Sequence, residues 1–534
     1  GGSRAPLVTP STCGTKTATA ELVAWSGQVA DQRSSFAIDC TPQLGAFTPS
    51  FAAGTTSPLA GAYAPFTLKV GKPDGGSDLT GLAMTLPPGL LANLKGNVGT
   101  QVGTARVASG AGASPFWLSG PVVLEGAYGD APFSLRVTVP VKAGPFDLGD
   151  VVVRQKIYVD RGDAHVTIVS DPLPTIVSGV PVQLQRLEVA VDKPGFMINP
   201  TSCDPQTISG TLGAATGQTA AVSARFQVSD CASLGLHPKL GLELTTKSQL
   251  KTGGHPGLDA TLAMPGGPGQ ANLKQVEVAL PLSVALDPKN ARALCTPEQA
   301  VARQCPETSI VGQASARTPI LDEPLSGPVY FVEGRRTTST GRTVATLPKL
   351  FITLSGQVEL DLWADSDVKD RKLVSTFAAI PDAPISAFRL QIAGGKAGIL
   401  KATGTGGAVC NAQQQAVTTF TGQNGKRRRS NLRMTSQCGL RVASKSVTGT
   451  RMAVKVSGLG RGKLTISGPG VKRTSRSIKS ASVATIKPRL SKAGLRAAKA
   501  RRVVKATVTF DPAGPAKVKR LAVSVKPAKA KAKR

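Results

Sequence analysis

Eight cysteines, at positions 13, 40, 203, 231, 295, 305, 410 and 438, constrain this chain more than any other feature. Taken in order they form four pairs, three of which are spaced 27 or 28 residues and have recurring surroundings. Thr9–Cys13 reads TPSTC and is followed by Gly27-Gln28 and Asp39-Cys40. Asn199–Cys203 reads NPTSC and is followed by Gly217-Gln218 and Asp230-Cys231. The third copy runs from Cys410 through Gly422-Gln423 to Gln437-Cys438. Each copy has a turn signal at its middle and polar/apolar alternation on both arms. That is the pattern of a β-hairpin whose ends a disulfide joins. Asn424-Gly425 is itself a strong hairpin turn. Zinc fits poorly, because spacings of 10 and about 28 are not ligand spacings and no Cys-x2-Cys occurs. The expectation is four disulfides, Cys13–Cys40, Cys203–Cys231, Cys295–Cys305 and Cys410–Cys438, and an oxidising compartment outside the cell.

The stretches between the hairpins repeat as well. Leu86-Pro87 answers Leu280-Pro281, Val102-Gly103 answers Val311-Gly312, and Leu118–Val122 (LSGPV) answers Leu325–Val329. The offset jumps by 15 residues between the first two landmarks, where the second copy holds Cys295 and Cys305 and the first holds neither. Runs such as Phe133, Leu135, Val137, Val139 and Val358, Leu360, Leu362 alternate with polar residues, as half-buried antiparallel strands do. Gly and Pro together make up 18% of the 534 residues, which suits a turn-rich all-β chain. The fold class is therefore all-β: tandem antiparallel β-sandwich domains with disulfide-closed hairpins and a C-terminal immunoglobulin-like sandwich. The divisions are 1–40 (a cysteine hairpin), 41–231 (repeat 1), 232–438 (repeat 2), 439–526 (the basic sandwich) and 527–534 (a basic disordered tail). Each repeat is one large sandwich or two small ones fused. Either the hairpins head each unit, or residues 1–40 are the remnant of an upstream repeat. The start at Gly1 favours the second reading. Short helices are expected at 296–303 and, capped by Ser491, over Lys492–Lys499.

Charge separates the last segment from the rest. From Leu440 to Arg534 there are 26 Lys/Arg and one acid, Asp511, so this stretch carries +25 of the chain's +32. An electrostatic clamp on an anionic polymer is the functional reading, and a well-solvated β-domain is the plain one. The residues expected to carry anion binding are Lys472, Arg473, Arg476, Arg501, Arg502, Lys519 and Arg520. No stretch of 18 apolar residues exists, so no transmembrane segment is expected. Aromatics at 4% argue against broad stacking platforms for sugars or single strands.

Chemistry-bearing motifs are sparse. His165, His237 and His255 have no metal-spaced partner, no Gly-x-Ser-x-Gly elbow occurs, and all three are read as surface histidines. Gly458, Gly460, Gly462 and Lys463 fail the phosphate-loop pattern and read as a hairpin turn. Asp365, Asp367 and Asp370 lack the glycine and closing glutamate of a calcium loop, and read as an acidic loop after Trp363. Arg161-Gly162-Asp163 reads as a hairpin turn, and Lys426–Arg429 as the exposed arm of one. No catalytic residue, metal ligand or cofactor is expected.

The stretch GAFTPSFAAGTTSPLAGAYAPFTLKV, then LPPGLL, AGPFDLGDVVVR, SDPLPTIVSGVPVQLQ, NPTSC, LDEPLSGPVY and TGQNG resemble large secreted proteins of high-GC Gram-positive (actinobacterial) bacteria. The C-terminal KLTISGPG, LSKAGLRAAKA and VKATVTFDPAG resemble a basic Ig-like module that closes many such proteins. The resemblance covers most of 35–528 and implies localisation and architecture, with no activity attached. It also implies a cysteine pair after LPPGLL, which the first repeat has dropped. The functional expectation is a secreted, non-enzymatic structural or adhesive protein, extracellular or wall-associated. Its basic terminus would hold an anionic wall or matrix polymer by electrostatics, without specific nucleic-acid recognition. The alternative is a glycan- or protein-binding site at a sandwich loop end, with Trp117 and Trp363 as anchors.

Overall fold

The computed structural model describes residues 10, 12–38, 47–110, 112, 114–143, 146–265, 268–337, 341–405, 409–410, 414–479, 483–513 and 517–527. β1 (Gly14–Val23) and β2 (Val29–Ile38) form a two-stranded sheet of their own. Eleven strands follow: β3 (Ser50–Thr55), β4 (Phe66–Gly71), β5 (Leu79–Leu86), β6 (Gln101–Ser109), β7 (Phe116–Glu125), β8 (Phe133–Ala143), β9 (Phe146–Val159), β10 (Val166–Ser170), β11 (Leu184–Val191), β12 (Gln206–Ala214) and β13 (Thr219–Phe226). They make one sheet in the order 3-4-11-6-7-8-9-10-5-12-13.

The next eleven are β14 (Lys239–Thr245), β15 (Gly257–Ala263), β16 (Leu273–Ala279), β17 (Ile310–Arg317), β18 (Leu325–Thr337), β19 (Thr343–Ser355), β20 (Glu359–Lys369), β21 (Lys372–Phe377), β22 (Ala387–Ile392), β23 (Gln414–Gly422) and β24 (Arg427–Ser436). Their order is 14-15-22-17-18-19-20-21-16-23-24, the same path strand for strand. Each repeat is thus one sheet rolled on itself, not two fused sandwiches. In the second unit the roll closes through a short parallel ladder, Glu243 to Thr435 and Leu244 to Ser436. In the first, β3 and β13 lie side by side without that ladder, and a Cβ on Gly54 would sit 4.0 Å from Phe226 Cδ2. β12 pairs with β5 and β23 with β16, so the cysteine hairpins end their units rather than head them.

The repeated landmarks have a steric cause. At Gly103 and Gly312 a bulge interrupts the ladder, and an added Cβ would lie 2.1 Å from the carbonyl oxygen of Ala190 or Gln391. At Gly120 and Gly327 it would lie 1.8 and 1.9 Å from the oxygens of Thr138 and Thr353. Only glycine lets the strands approach so closely.

The 15-residue jump is the segment that holds helix α1 (Pro297–Val301). Residues 93–100 join the short strand Leu91–Ala92 to β6, and residues 287–309 join Val284–Leu286 to β17. α1 starts in a capping box, with Thr296 accepting from Gln299 N–H and the Gln299 side chain returning to Thr296 N–H. Cys295–Cys305 pins this flap over Phe351, whose ring lies tilted against Trp363 at 4.4 Å between centroids.

The two units meet end to end through residues of the family-like motifs. Asp382, between β21 and β22, is buried and accepts from Thr201 N–H (2.8 Å), Thr201 O–H (2.6 Å), Ser202 N–H (3.1 Å) and Asn272 Nδ2 (2.8 Å). Thr201 and Ser202 belong to NPTSC. Gly89 of LPPGLL has no room for a Cβ, which would lie 2.6 Å from Pro200 Cβ and 2.9 Å from Asp382 Oδ2. Asp322 of LDEPLSGPVY accepts from Gly96 N–H, and Asn424 of TGQNG donates to the carbonyls of Cys231 and Leu234. These marker motifs are junction chemistry.

The C-terminal sandwich packs a three-stranded sheet, β25 (Arg441–Thr448), β26 (Arg451–Ser457) and β29 (Val483–Ile486), in the order 25-26-29. Against it lies a four-stranded sheet of β27 (Gly462–Gly468), β28 (Val471–Ile478), β30 (Val504–Pro512) and β31 (Lys519–Val525), in the order 28-27-30-31. Met452, Val454, Leu464, Ile466, Val508 and Val523 are among its fully buried core side chains. Helix α2 (Lys492–Lys499) follows Ser491, whose Oγ accepts from Gly494 N–H at 3.0 Å. Ser491→Ala is expected to destabilise this sandwich by about 1 kcal/mol, read from its denaturant midpoint.

Candidate anion-binding face and the other sequence-derived sites

In the four-stranded sheet Leu464, Ile466, Val508 and Phe510 point into the core, so the alternate residues form an outer face. Across that face Thr465 pairs with Ser475 and Thr509, Ser467 with Thr507, and Lys463 with Asp511. Arg520 pairs with Thr509 and Lys505 with Ser524. Lys472 and Arg473 fall in a register shift opposite Ser467, where two residues face one. The outcome is a carpet of Ser and Thr studded with Lys463, Lys472, Arg473, Lys505 and Arg520.

The structure therefore gathers three of the seven expected cations. Arg476 instead pairs with Leu464 in the inward row and donates to the carbonyl of Thr485 at 3.1 Å. Lys519 pairs with Phe510 at a strand end, and Arg501 and Arg502 follow α2, with Arg501 at φ +52° and Arg502 N–H bonded to Ala497 O. Lys463 and Lys505 were absent from the expected set. Their strand alternation was the available signal, with Lys505 between buried Val504 and Ala506.

Ion pairing differs sharply between the parts. The two eleven-stranded units are laced with ion pairs, such as Lys72–Asp78 (2.9 Å), Arg136–Glu125 (2.6 Å) and Arg303–Asp361 (2.6 Å). Among the described residues, no cation of the C-terminal sandwich takes part in one.

The remaining sites resolve as follows. Cys203–Cys231, Cys295–Cys305 and Cys410–Cys438 are disulfides. Cys13 is also disulfide-bonded, and Cys40 lies outside the described residues, as do 528–534 of the tail. Gly458–Arg461 is not a hairpin turn: it carries the chain from the three-stranded to the four-stranded sheet. Gly458 has φ +74°, and a Cβ there would meet the Gly439 oxygen at 1.7 Å. Asp365 and Asp367 are not in a loop either. β20 continues through Lys369, pairing them with Thr376 and Val374, and Asp365 binds Lys349 at 2.9 Å. The turn is Asp370-Arg371, both at positive φ. Lys426–Arg429 opens β24 as an exposed arm, as expected.

His255 is half-buried rather than on the surface, with Nε2 3.2 Å from Asp287 Oδ2. Hydrogen bonds from Lys401 and then His255 hold the Asp287 carboxyl below its ordinary value. His165 lies with Asp160 and Asp163 in the turn after β9, with ligand atoms within 4.8 Å of one another; the three fall within six residues of sequence, a spacing that the reading of His165 as partnerless passed over. Burial pushes the Asp160 carboxyl up, but the N–H groups of Gly162 and Asp163 hold it below its ordinary value. Arg161 of the same turn binds Glu359 at 2.8 Å, and its carbonyl accepts from Asp361 N–H, so Arg-Gly-Asp serves the junction between units. Trp117 is half-buried beneath Arg106 (4.8 Å), and Trp363 is covered by Phe351. Trp25, in the turn of the first hairpin, is fully exposed.

The chain matches no family model and no curated protein. Among solved structures, it is similar to a tetra-tandem repeat from the extending region of a large adhesion protein, at 8% identity and TM-score 0.15. That match covers 90% of this chain and all of the other. A Ca2+-stabilised ice-binding adhesin of an Antarctic bacterium matches at 10% identity and TM-score 0.12, over 91% of this chain and 99% of that one. The α2-macroglobulin of E. coli matches at 11% and 0.13, over 96% of this chain and 34% of that one.

Proposed function

We propose that this is a non-enzymatic extracellular protein whose C-terminal sandwich holds an anionic wall or matrix polymer, with the two eleven-stranded units as its body. The observation that supports it is the contrast in ion pairing. Many cations of the body pair with neighbouring carboxylates, whereas among the described residues those of the C-terminal sandwich form no ion pair, and on the outer face of its four-stranded sheet they stand among hydroxyls with one acid, Asp511, opposite Lys463. Such a face attracts a polyanion through many weak contacts, each screened within about 8 Å at physiological salt. Three disulfides among the described residues support folding in an oxidising compartment.

The test is co-sedimentation of the full chain with purified cell-wall sacculi. Pelleting is expected at about 0.05 M salt and lost at about 0.5 M. A variant carrying Lys463→Glu, Arg473→Glu, Lys505→Glu and Arg520→Glu should stay in the supernatant at both. Salt-resistant pelleting by that variant would place the contact on the eleven-stranded units and overturn the proposal.

A further inference from the structure

The two eleven-stranded units share a path but not an interior. A cavity of about 450 Å³ lies mainly within the first unit and reaches only the near end of the second, whose core closes beyond it around Phe331, Ile352 and Leu390. That size falls in the range of small-molecule sites, roughly 300–1,000 Å³. The difference is written into matching positions. Val122 pairs with Val137 as Val329 pairs with Ile352, and Val137 pairs with Val153 as Ile352 pairs with Leu362. Following the register, Leu124, Val137, Val139, Val153 and Val189 line the cavity where the second unit has Phe331, Ile352, Leu354, Leu362 and Leu390. At all five positions the first unit carries the smaller side chain.

The cavity runs from a mouth at the end of the first unit away from the junction, past Ile320 and Leu321, to the near end of the second unit, where Leu325, Leu354, Leu362 and Phe388 line it. Its lining is almost entirely aliphatic, and Lys142 is its one charged lining residue among those described. Lys142 stands at the mouth, largely exposed, 3.4 Å from Asp147. Phe116 and Val180 line the mouth and are 52% and 45% exposed, and the flanking Phe146 and Ile176 are 68% and 60% exposed.

We infer that the first unit binds one long acyl chain, inserted through this mouth with its polar head left outside beside Lys142. An empty apolar cavity of this size forgoes packing on the scale of a whole domain's stability, so an occupant has much to contribute. Water is excluded as that occupant by the scarcity of polar partners. Stacking of another unit on the mouth does not account for the interior. Leu91 of the first unit already enters the core of the second at the equivalent end, and there the cavity reaches Leu354 and Leu362 but not Phe331, Ile352 or Leu390.

The test uses the full chain, stripped of lipid, titrated with the fluorescent C18 fatty acid cis-parinaric acid, with palmitic acid as competitor. Saturation at one probe per chain is expected. The fivefold variant L124F/V137I/V139L/V153L/V189L imports the residues of the second unit. It should keep or raise the melting temperature while binding at least about tenfold more weakly, the loss expected when some two methylenes are denied burial. Val180→Asp at the mouth, which leaves the interior untouched, should also weaken binding. Absence of saturable binding by the wild-type chain overturns the inference. So does undiminished binding by both variants, or end-to-end self-association of the chain in place of probe binding.

Discussion

Asp382→Ala is expected to lower the stability of the chain by roughly 3 kcal/mol, measured by denaturant unfolding with a probe in each eleven-stranded unit. The substitution leaves the N–H groups of Thr201 and Ser202 and the Asn272 amide facing a space with no acceptor. Each buried donor left unpaired costs about 1–3 kcal/mol, and relief from burying a carboxylate offsets part of the sum. Because Thr201 and Ser202 belong to the first unit and Asp382 and Asn272 to the second, the loss should appear as separation of the two unfolding transitions. A change below about 1 kcal/mol would mean that the junction does not depend on this residue.

The same residue gives a pH signature. Burial pushes the Asp382 carboxyl above its ordinary value of 3.8, against the hydrogen bonds from Thr201, Asn272 and Ser202. The folded state therefore keeps this proton over an interval in which the unfolded chain has released it. Its contribution to stability is fully present below the ordinary value and falls as pH rises through the raised folded value. The wild-type stability minus that of Asp382→Asn should thus slope downward with pH from about 4 upward. The other carboxylates cancel in this difference. A flat or rising difference would contradict the assignment.

Replacing Cys410 and Cys438 together by alanine is expected to cost about 3–4 kcal/mol, the loop entropy of a 28-residue closure. This disulfide spans the hairpin that closes the second unit, with Cys438 two residues beyond the parallel ladder at Thr435 and Ser436. Removing Cys295 and Cys305, which close only 10 residues on an external flap, should cost less, about 2–3 kcal/mol. Thermal unfolding of the two double variants side by side checks the order. Equal losses would mean that the hairpin is held by its ladders alone.

Much of this architecture was legible because its causes are local or recur along the chain. Alternation marks each strand, the cysteine hairpins mark the ends of the units, and Gly103/Gly312 and Gly120/Gly327 repeat because the same close strand approach occurs twice. The helix over Lys492–Lys499 was readable from its capping serine. Asp365 and Asp367 were misread because a strand that carries charge on its exposed face looks, in sequence, like a loop. The Gly458–Gly462 run was misread because a turn between paired strands and a crossing between sheets use the same residues.

The candidate sites divide along the same line. The excess of positive charge at the C-terminus follows from composition alone. Which cations share a face depends on register: β28 bulges and brings Lys472 and Arg473 out together, while Arg476, three residues on, turns to Thr485. Register is set by pairing between distant strands, so a list made from the chain alone took in Arg501 and left out Lys463. The strands, the twofold repetition, the hairpin pairing of the cysteines and the charge imbalance were all readable along the chain. That each repeat is a single rolled sheet, that the marker motifs meet around buried Asp382, and that a cavity lies mainly in one unit follow from contacts between distant segments. A single valine in place of leucine says nothing in a sequence. Five smaller side chains facing one another inside a rolled sheet leave a cavity, because the opposing walls are fixed by their backbone ladders and cannot collapse to fill it.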